Sequence, residues 1–357
     1  MKYFVFFLLL SSFAVFAQKN PKKSSLQEQE NLKNAQLQKA DKLFLEAMEL
    51  ASAKEIIKSI AKLDSAIFLN PLFARAFTNR AYLRMQQFNY DAAFQDFEKA
   101  LSFDSLISTA LLGRAKLWEK KGEIQKALND YSKAIAINSD LPEAYRARAK
   151  ILMNQKEYSS AKNDLDLLIQ LKNTDYEAYN DRAMIHQILG DTTSALLDWQ
   201  KAIEQNGSFA LTFFNRGIYY QESQQLKKAL DDFNTVVMLA PQFALGFFNR
   251  ANLRYKLGDF AGAKEDFNLC IQKGLKTADV YANLGACKIK LSDFKGGLED
   301  CQRAITYDSN HTFALLSSGI AKQMLKDEKG ACADWTKAAS LGNIRAKRYL
   351  EEDCNMK

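Results

Sequence analysis

Residues 244–277 read ALGFFNRANLRYKLGDFAGAKEDFNLCIQKGLKT, and the same wording, altered but in register, begins at Ala74, Ser108, Pro142, Tyr176, Ala210, Ala278 and Thr312. Each start follows the last by 34 residues, so eight copies tile residues 74–345 with no insertion or deletion. What recurs is a set of side-chain sizes. Position 8 is small in every copy (Ala81, Ala115, Ala149, Ala183, Gly217, Ala251, Gly285, Gly319), and so is position 20 (Ala93, Ala127, Ala161, Ala195, Ala229, Ala263, Gly297, Ala331). Four residues later stands Phe97, Tyr131, Leu165, Trp199, Phe233, Phe267, Cys301 or Trp335. Small residues at both places let two helices approach closely, and the larger residue fills the space beside them. Each copy therefore predicts a helix, a short turn and a second helix. Leu-Gly-Asp at 189–191 and again at 257–259 marks the turn, Gly ending one helix and Asp capping the next. A helix pair of this size cannot bury its apolar face alone, so neighbouring copies must stack into an all-α solenoid.

At these residues the chain resembles the tetratricopeptide repeat family, whose pattern is small at 8 and 20, aromatic at 24, small at 27 and often Pro at 32. Position 27 carries Ala100, Ala134, Ala202, Ala304 and Ala338, with Leu168, Val236 and Cys270 as substitutes, while Pro241 alone fills position 32 of the eight. The resemblance implies a right-handed α-solenoid of helix-turn-helix repeats whose first helices line a concave groove that holds peptides or partner proteins.

The flanks read differently. Met1–Ala17 has Lys2, an apolar run from Tyr3 to Leu10 and a small-residue ending, the pattern of a cleaved signal peptide. That run is too short for a spanning helix, so no integral membrane segment is expected after cleavage. The ending Phe-Ala-Gln resembles exported proteins of the Bacteroidota, and the mature chain is expected from Gln18, periplasmic or extracellular. Residues 18–39, rich in Lys, Gln and Ser, read as a flexible polar lead-in. A degenerate capping repeat is expected over 40–73, with Ala47, Ser59, Leu63 and Ala66 on pattern. A closing helix over 346–357 completes the other end, with Ile344, Ala346 and Leu350 turned toward the last repeat.

Charge enters the pattern at two places. Position 23 is Asp in all eight repeats, and position 7 is Arg in six, which gives the pairs Arg80 with Asp96, Arg114 with Asp130, Arg148 with Asp164, Arg182 with Asp198, Arg216 with Asp232 and Arg250 with Asp266. Guanidinium and carboxylate fit as a fork, so a ladder of structural ion pairs between first and second helices is expected. Pairing with the preceding repeat's Asp fits five of the six. A metal role for the aspartates is not expected, because one carboxylate per repeat does not converge on a cation.

Five cysteines in an exported chain call for accounting. Cys270, Cys287 and Cys301 fall at core positions. Cys332 and Cys354 sit in the last second helix and the closing helix, where a disulfide would clamp the cap; two buried free thiols are the alternative. The stretch GACADWTKAASLG at 330–342 resembles the terminal repeat of exported Bacteroidota proteins.

Catalytic signals are thin. The two histidines, His186 and His311, lack a partner at metal-ligand spacing, and no nucleophile elbow, phosphate loop or dinucleotide glycine pattern occurs, so neither an enzyme nor a cofactor is expected. Loss of Lys2 with the signal leaves 48 basic and 42 acidic residues, a net charge of +6. These alternate along helix faces without a basic stripe, which points away from nucleic acid.

Binding is where the repeats differ from one another. Positions 2, 5, 9 and 12 share one face of the first helix, the face that lines the groove in the family. In repeats two to four it is mixed and charged, with Leu112, Met153 and Met184 among Lys116, Glu119, Glu143, Arg146, Lys150 and Glu177. Repeats five and six present Leu211, Phe214 and Ile218, then Leu245, Phe248, Asn252 and Tyr255, and repeat eight presents Phe313, Leu316 and Ile320. Apolar groups on such a wall serve as peptide anchors; the other reading is that the rings fill gaps between helices. The family's carboxylate clamp needs Lys at position 5, which no repeat has. The expectation is a non-enzymatic scaffold gripping a peptide or partner protein, the alternative being a structural subunit of a cell-envelope assembly that uses convex or end surfaces.

Overall fold

The computed structural model describes residues 21–354, and the expected signal peptide lies outside them. Every regular element among the described residues is helical. The chain divides at Ile151 and Leu152 into two compact bodies. The first body contains α1 (Pro21–Ser52), α2 (Ile56–Leu69), α3 (Ala74–Gln86), α4 (Tyr90–Phe103), α5 (Ser108–Lys120) and α6 (Ile124–Ile137), and α7 (Pro142–Asn154) runs across the division. The second holds α8 (Tyr158–Leu171), α9 (Tyr176–Ile188), α10 (Thr192–Gln205), α11 (Ala210–Glu222), α12 (Leu226–Leu239), α13 (Ala244–Lys256) and α14 (Phe260–Gln272). It continues through α15 (Ala278–Lys290), α16 (Phe294–Tyr307), α17 (Thr312–Met324), α18 (Glu328–Ser340) and α19 (Ile344–Tyr349), and ends in one π turn, Leu350–Cys354.

Within each body, hairpins pack in series. The small residues at positions 8 and 20 are buried, and Phe97, Tyr131, Trp199, Phe233 and Phe267 at position 24 are fully enclosed beside them. Two turns alternate. Inside each hairpin, position 15 adopts positive φ, from Lys54 at 61° and Phe88 at 60° to Gly258 at 88°, and the next N–H donates to the carbonyl of position 11, as in Asn89 to Arg84 at 2.9 Å. That closure satisfies orphan carbonyls at the helix end. Between repeats, Asn70, Asp104, Asn138, Asn206 and Asp308 at position 31 accept a hydrogen bond from the N–H two residues on. An Asx turn thus stops the second helix where the family pattern would place Pro.

The ends correct two expectations. Residues 21–39 are helical and continuous with α1, where a flexible lead-in was expected; their backbone extends the capping helix, while the side chains from Glu28 to Gln36 stay exposed. At the other end Asn343 caps α19 by accepting from the Ala346 N–H, which turns Ala346 into the last repeat and leaves Ile344 84% exposed. Ile344 therefore does not face the last repeat as its spacing suggested.

Candidate functional site

The ion pairs form as forks within single repeats. Arg80 donates through Nε and Nη2 to Asp96 Oδ2 and Oδ1 at 2.9 and 2.7 Å, and Arg114 does the same to Asp130 at 2.7 and 3.0 Å. Arg182 with Asp198, Arg216 with Asp232 and Arg250 with Asp266 repeat the geometry. The sixth pair divides between the bodies, Arg148 in the first and Asp164 in the second. The aspartates are nearly inaccessible, 1 to 4% exposed, so each fork replaces the water that a buried carboxylate would otherwise lose. Burial opposes the charge on Arg80 and Arg114, but the bonded carboxylates outweigh it and hold both guanidinium groups above their ordinary range. Burial raises the carboxyl of Asp232 against the pull of Arg216.

Two further contacts of this ladder were not read from the sequence. Arginine Nη1 reaches back to position 25 of the preceding repeat: Arg80 to Asp64 at 2.6 Å, Arg114 to Glu98 at 2.6 Å, Arg148 to Ser132 at 3.0 Å, Arg182 to Asp166 at 2.7 Å and Arg250 to Asn234 at 3.0 Å. Asp166 is shielded by burial, yet Lys162 and Arg182 together pull its carboxyl below the usual range. Where position 7 is not Arg, a lysine at position 11 takes over, Lys288 lying 2.6 Å from Asp300 and Lys322 2.7 Å from Asp334. Those two lysines were the available signal.

The proposed groove residues fall into three groups. Leu211 and Leu245 are exposed, at 44 and 45%. Phe214, Ile218, Phe248, Asn252, Tyr255, Phe313 and Ile320 are half-buried. Phe214 packs 5.0 Å from Phe243 and 6.1 Å from Phe233, Phe248 lies 6.0 Å from Phe267, and Tyr255 lies 5.2 Å from Phe260, so these rings also serve as core. Asn252 accepts a hydrogen bond from Asn283 Nδ2 at 3.1 Å. Leu316 is 2% exposed and does not line a groove. It belongs to the cluster with Leu315, Ala331 and Trp335, and α17 closes onto α15, which offers only buried Ala282 and Ala286 at the corresponding positions.

Cys332 and Cys354 are bonded to each other, with Cα atoms 6.0 Å apart, and Tyr349 of α19 stacks 4.8 Å from Trp335. Cys270, Cys287 and Cys301 are buried free thiols. His186 lies between Asp191 and Asp198, at 3.3 and 3.8 Å, and His311 caps α17 through Nδ1, which accepts from the Ala314 N–H. Among the described residues no three His, Cys, Asp or Glu side chains converge to hold a metal, and no helix is long and apolar enough to cross a membrane.

Residues 74–105 match a tetratricopeptide repeat model, and residues 120–156 match a second model described as TPR repeat. No curated protein sequence matches the chain. Among solved structures, PilF of Pseudomonas aeruginosa is 16% identical, with 59% of this chain and 97% of that one covered at a TM-score of 0.52. A chain of the APC/C hetero-tetramer Cut9-Hcn1 is 14% identical over 78% of this chain and 55% of its own, also at 0.52. YrrB, described as a TPR protein with an unusual peptide-binding site, is 23% identical over 52% and 96%, at 0.48. The likeness to PilF and to the Cut9-Hcn1 chain is one of fold. Eight copies of the 34-residue pattern stand in register, one family model matching the first copy and the other spanning the second half of copy two and the first half of copy three, so this chain carries tetratricopeptide repeats.

Proposed function

We propose that this chain is an exported, non-enzymatic scaffold that holds a peptide or partner protein across the first helices of repeats five and six. The observation that carries the reading is the pair Leu211 and Leu245, the same repeat position on adjacent first helices, both substantially exposed beside half-buried Phe214 and Phe248. Apolar surface left in water costs about 25 cal/mol per Å2, and two such leucines in line offer anchors one repeat apart. Position 2 of the flanking repeats is Glu177 and Asp279, so the apolar strip has charged limits.

The test uses the exposed leucines instead of the rings, because Phe214 and Phe248 also hold the core. Peptides selected from a random display library on the mature chain should lose binding to a Leu211→Glu/Leu245→Glu variant whose helical circular dichroism and melting are unchanged. Retained binding by that variant would end the groove reading and favour use of other faces. Export is tested separately by mass spectrometry of the protein expressed from its own gene, which should begin at Gln18 in a fraction outside the cytoplasm.

A further inference from the structure

The arginine ladder contains one open arm. In repeats one, two and four, one guanidinium serves two carboxylates: Arg80 holds Asp96 and Asp64, Arg114 holds Asp130 and Glu98, and Arg182 holds Asp198 and Asp166. In repeat six the second acceptor is Asn234. Repeat five breaks the series. Arg216 forks Asp232 through Nε and Nη2 at 2.9 and 2.8 Å, but its Nη1 has no acceptor among the described residues. The residue at position 25 of the preceding repeat is Gln200, whose Nε2 donates instead to Glu204 Oε1 at 3.3 Å, and Glu204 is in turn paired with Lys201 at 3.2 Å.

By the register of the repeats, Arg216 stands where Arg114 stands in the first body. In the first body the equivalent place is a cavity of about 640 Å3 between α4 and α6, floored by Leu111 and Arg114 and walled by Glu98. Transferred by 34-residue steps, the same positions in repeats four and five are Gln200 on α10, Phe213 and Arg216 on α11, and Met238 on α12. Arg216 is held rigidly there, its guanidinium 5.7 Å from the ring centroids of both Phe213 and Tyr220. Its side chain remains 17% exposed, and Met238 is 71% exposed. A guanidinium already oriented by a carboxylate and two rings loses little freedom when it binds a second carboxylate.

We infer that the surface at Arg216, between Gln200 of α10 and Met238 of α12, is a docking site for an acidic side chain of a partner protein, whose carboxylate takes at Arg216 Nη1 the place that Asp64, Glu98 and Asp166 occupy elsewhere in this chain. The exposed Met238 supplies the apolar contact beside it. The ligand is identified by what the chain itself puts at the same position; Gln200 and Met238 lie on second helices, and Phe213 and Arg216 share by helical spacing a face of α11 other than that of Leu211 and Phe214, so the site is distinct from the Leu211 and Leu245 strip.

The test titrates the capped peptide acetyl-Ala-Leu-Glu-Leu-Ala-amide, in the millimolar range, into the mature chain labelled at arginine side-chain nitrogens. The Arg216 Nε–Hε resonance should shift saturably, the twin peptide with Gln in place of Glu should bind at least tenfold more weakly, and sodium acetate at equal concentration should not match the Glu peptide. Gln200→Glu supplies the missing carboxylate from within the chain and should abolish the shift while leaving the fold intact. No shift, equal shifts from the two peptides, an equal shift from acetate, or an undiminished shift in the Gln200→Glu variant would each overturn the inference.

Discussion

Lys288 Nζ lies 2.6 Å from Asp300 Oδ2 and supplies from position 11 the positive charge that an arginine supplies from position 7 in five other repeats. It approaches off the hydrogen-bonding direction, so Oδ2 gains the charge without a formal hydrogen bond. Asp300 is almost fully buried, and its other cation, Arg303 at 3.7 Å, is largely exposed. Lys288→Met should therefore leave a buried carboxylate nearly alone and cost roughly 3 kcal/mol. Lys322→Met should cost less, because Asp334 keeps the Ser318 hydroxyl at 2.6 Å. Urea unfolding of the two variants gives the comparison, and equal losses would mean that the lysines do not hold the aspartates.

In the hairpin of α15 and α16 both position 8, Gly285, and position 20, Gly297, are glycine. A Cβ on Gly285 would stand 2.7 Å from Cys301 Sγ and 2.8 Å from the Gly297 carbonyl oxygen. The second contact is backbone and cannot swing away, so Gly285→Ala should destabilise by about 1–3 kcal/mol. Gly122→Ala meets nothing within 4 Å, and its cost comes from φ +78° alone, about 1 kcal/mol. Thermal unfolding should rank Gly285→Ala as the more damaging change; the reverse order would place the tight contact elsewhere.

The reach of the sequence follows the range of the interactions. Ala81 against Ala93 beside Phe97 was legible because the contact lies inside one repeat and recurs in all. The Arg and Asp forks were legible for the same reason. The bond from Arg114 to Glu98 crosses a repeat boundary, and position 25 varies through Asp, Glu, Ser, Gln and Asn, so no single residue type marked it. Leu316 looked like a groove residue because its position says which face it occupies. How far the next helix stands away is set by the sizes of Ala282 and Ala286, on another repeat. The helix from Pro21 was hidden by polar composition, which reports the lack of a core partner and not the backbone conformation.

Phe88 occupies the left-handed position of its hairpin turn at φ 60° with its ring 77% exposed, where three other repeats carry glycine. The backbone strain and the ring in water are both relieved by Phe88→Gly, against the greater freedom glycine has when unfolded. The net expectation is a gain of about 0.5 kcal/mol. The converse change, Gly190→Phe at φ 83°, should lose about 1 kcal/mol. Denaturant midpoints read both, and a loss of stability in Phe88→Gly would show that the ring's contact with Tyr90, 6.2 Å away, matters more than the strain.

Burial, reinforced by nearby aspartates, pushes the thiols of Cys270, Cys287 and Cys301 up to about 12, from an ordinary value near 9. Between those values the folded chain keeps three protons that the unfolded chain releases, so the unfolded state binds fewer protons and stability falls as pH rises. Below pH 9 the three thiols add no slope; above it each adds up to about 1.4 kcal/mol per pH unit. Urea midpoints at pH 8, 9, 10 and 11 should decline over the last three, and a Cys270→Ala/Cys287→Ala/Cys301→Ala variant should decline less steeply. Tyr281, also raised by burial and with none of the three thiols among the groups that act on it, contributes equally to both proteins and cancels in the difference. The same thiols should be silent to a disulfide-exchange reagent at pH 8 until the chain is unfolded, since the thiolate is the reacting form. Parallel pH curves for the two proteins, or thiols that react in the native state, would show that the repeat interiors open to water far more readily than their packing implies.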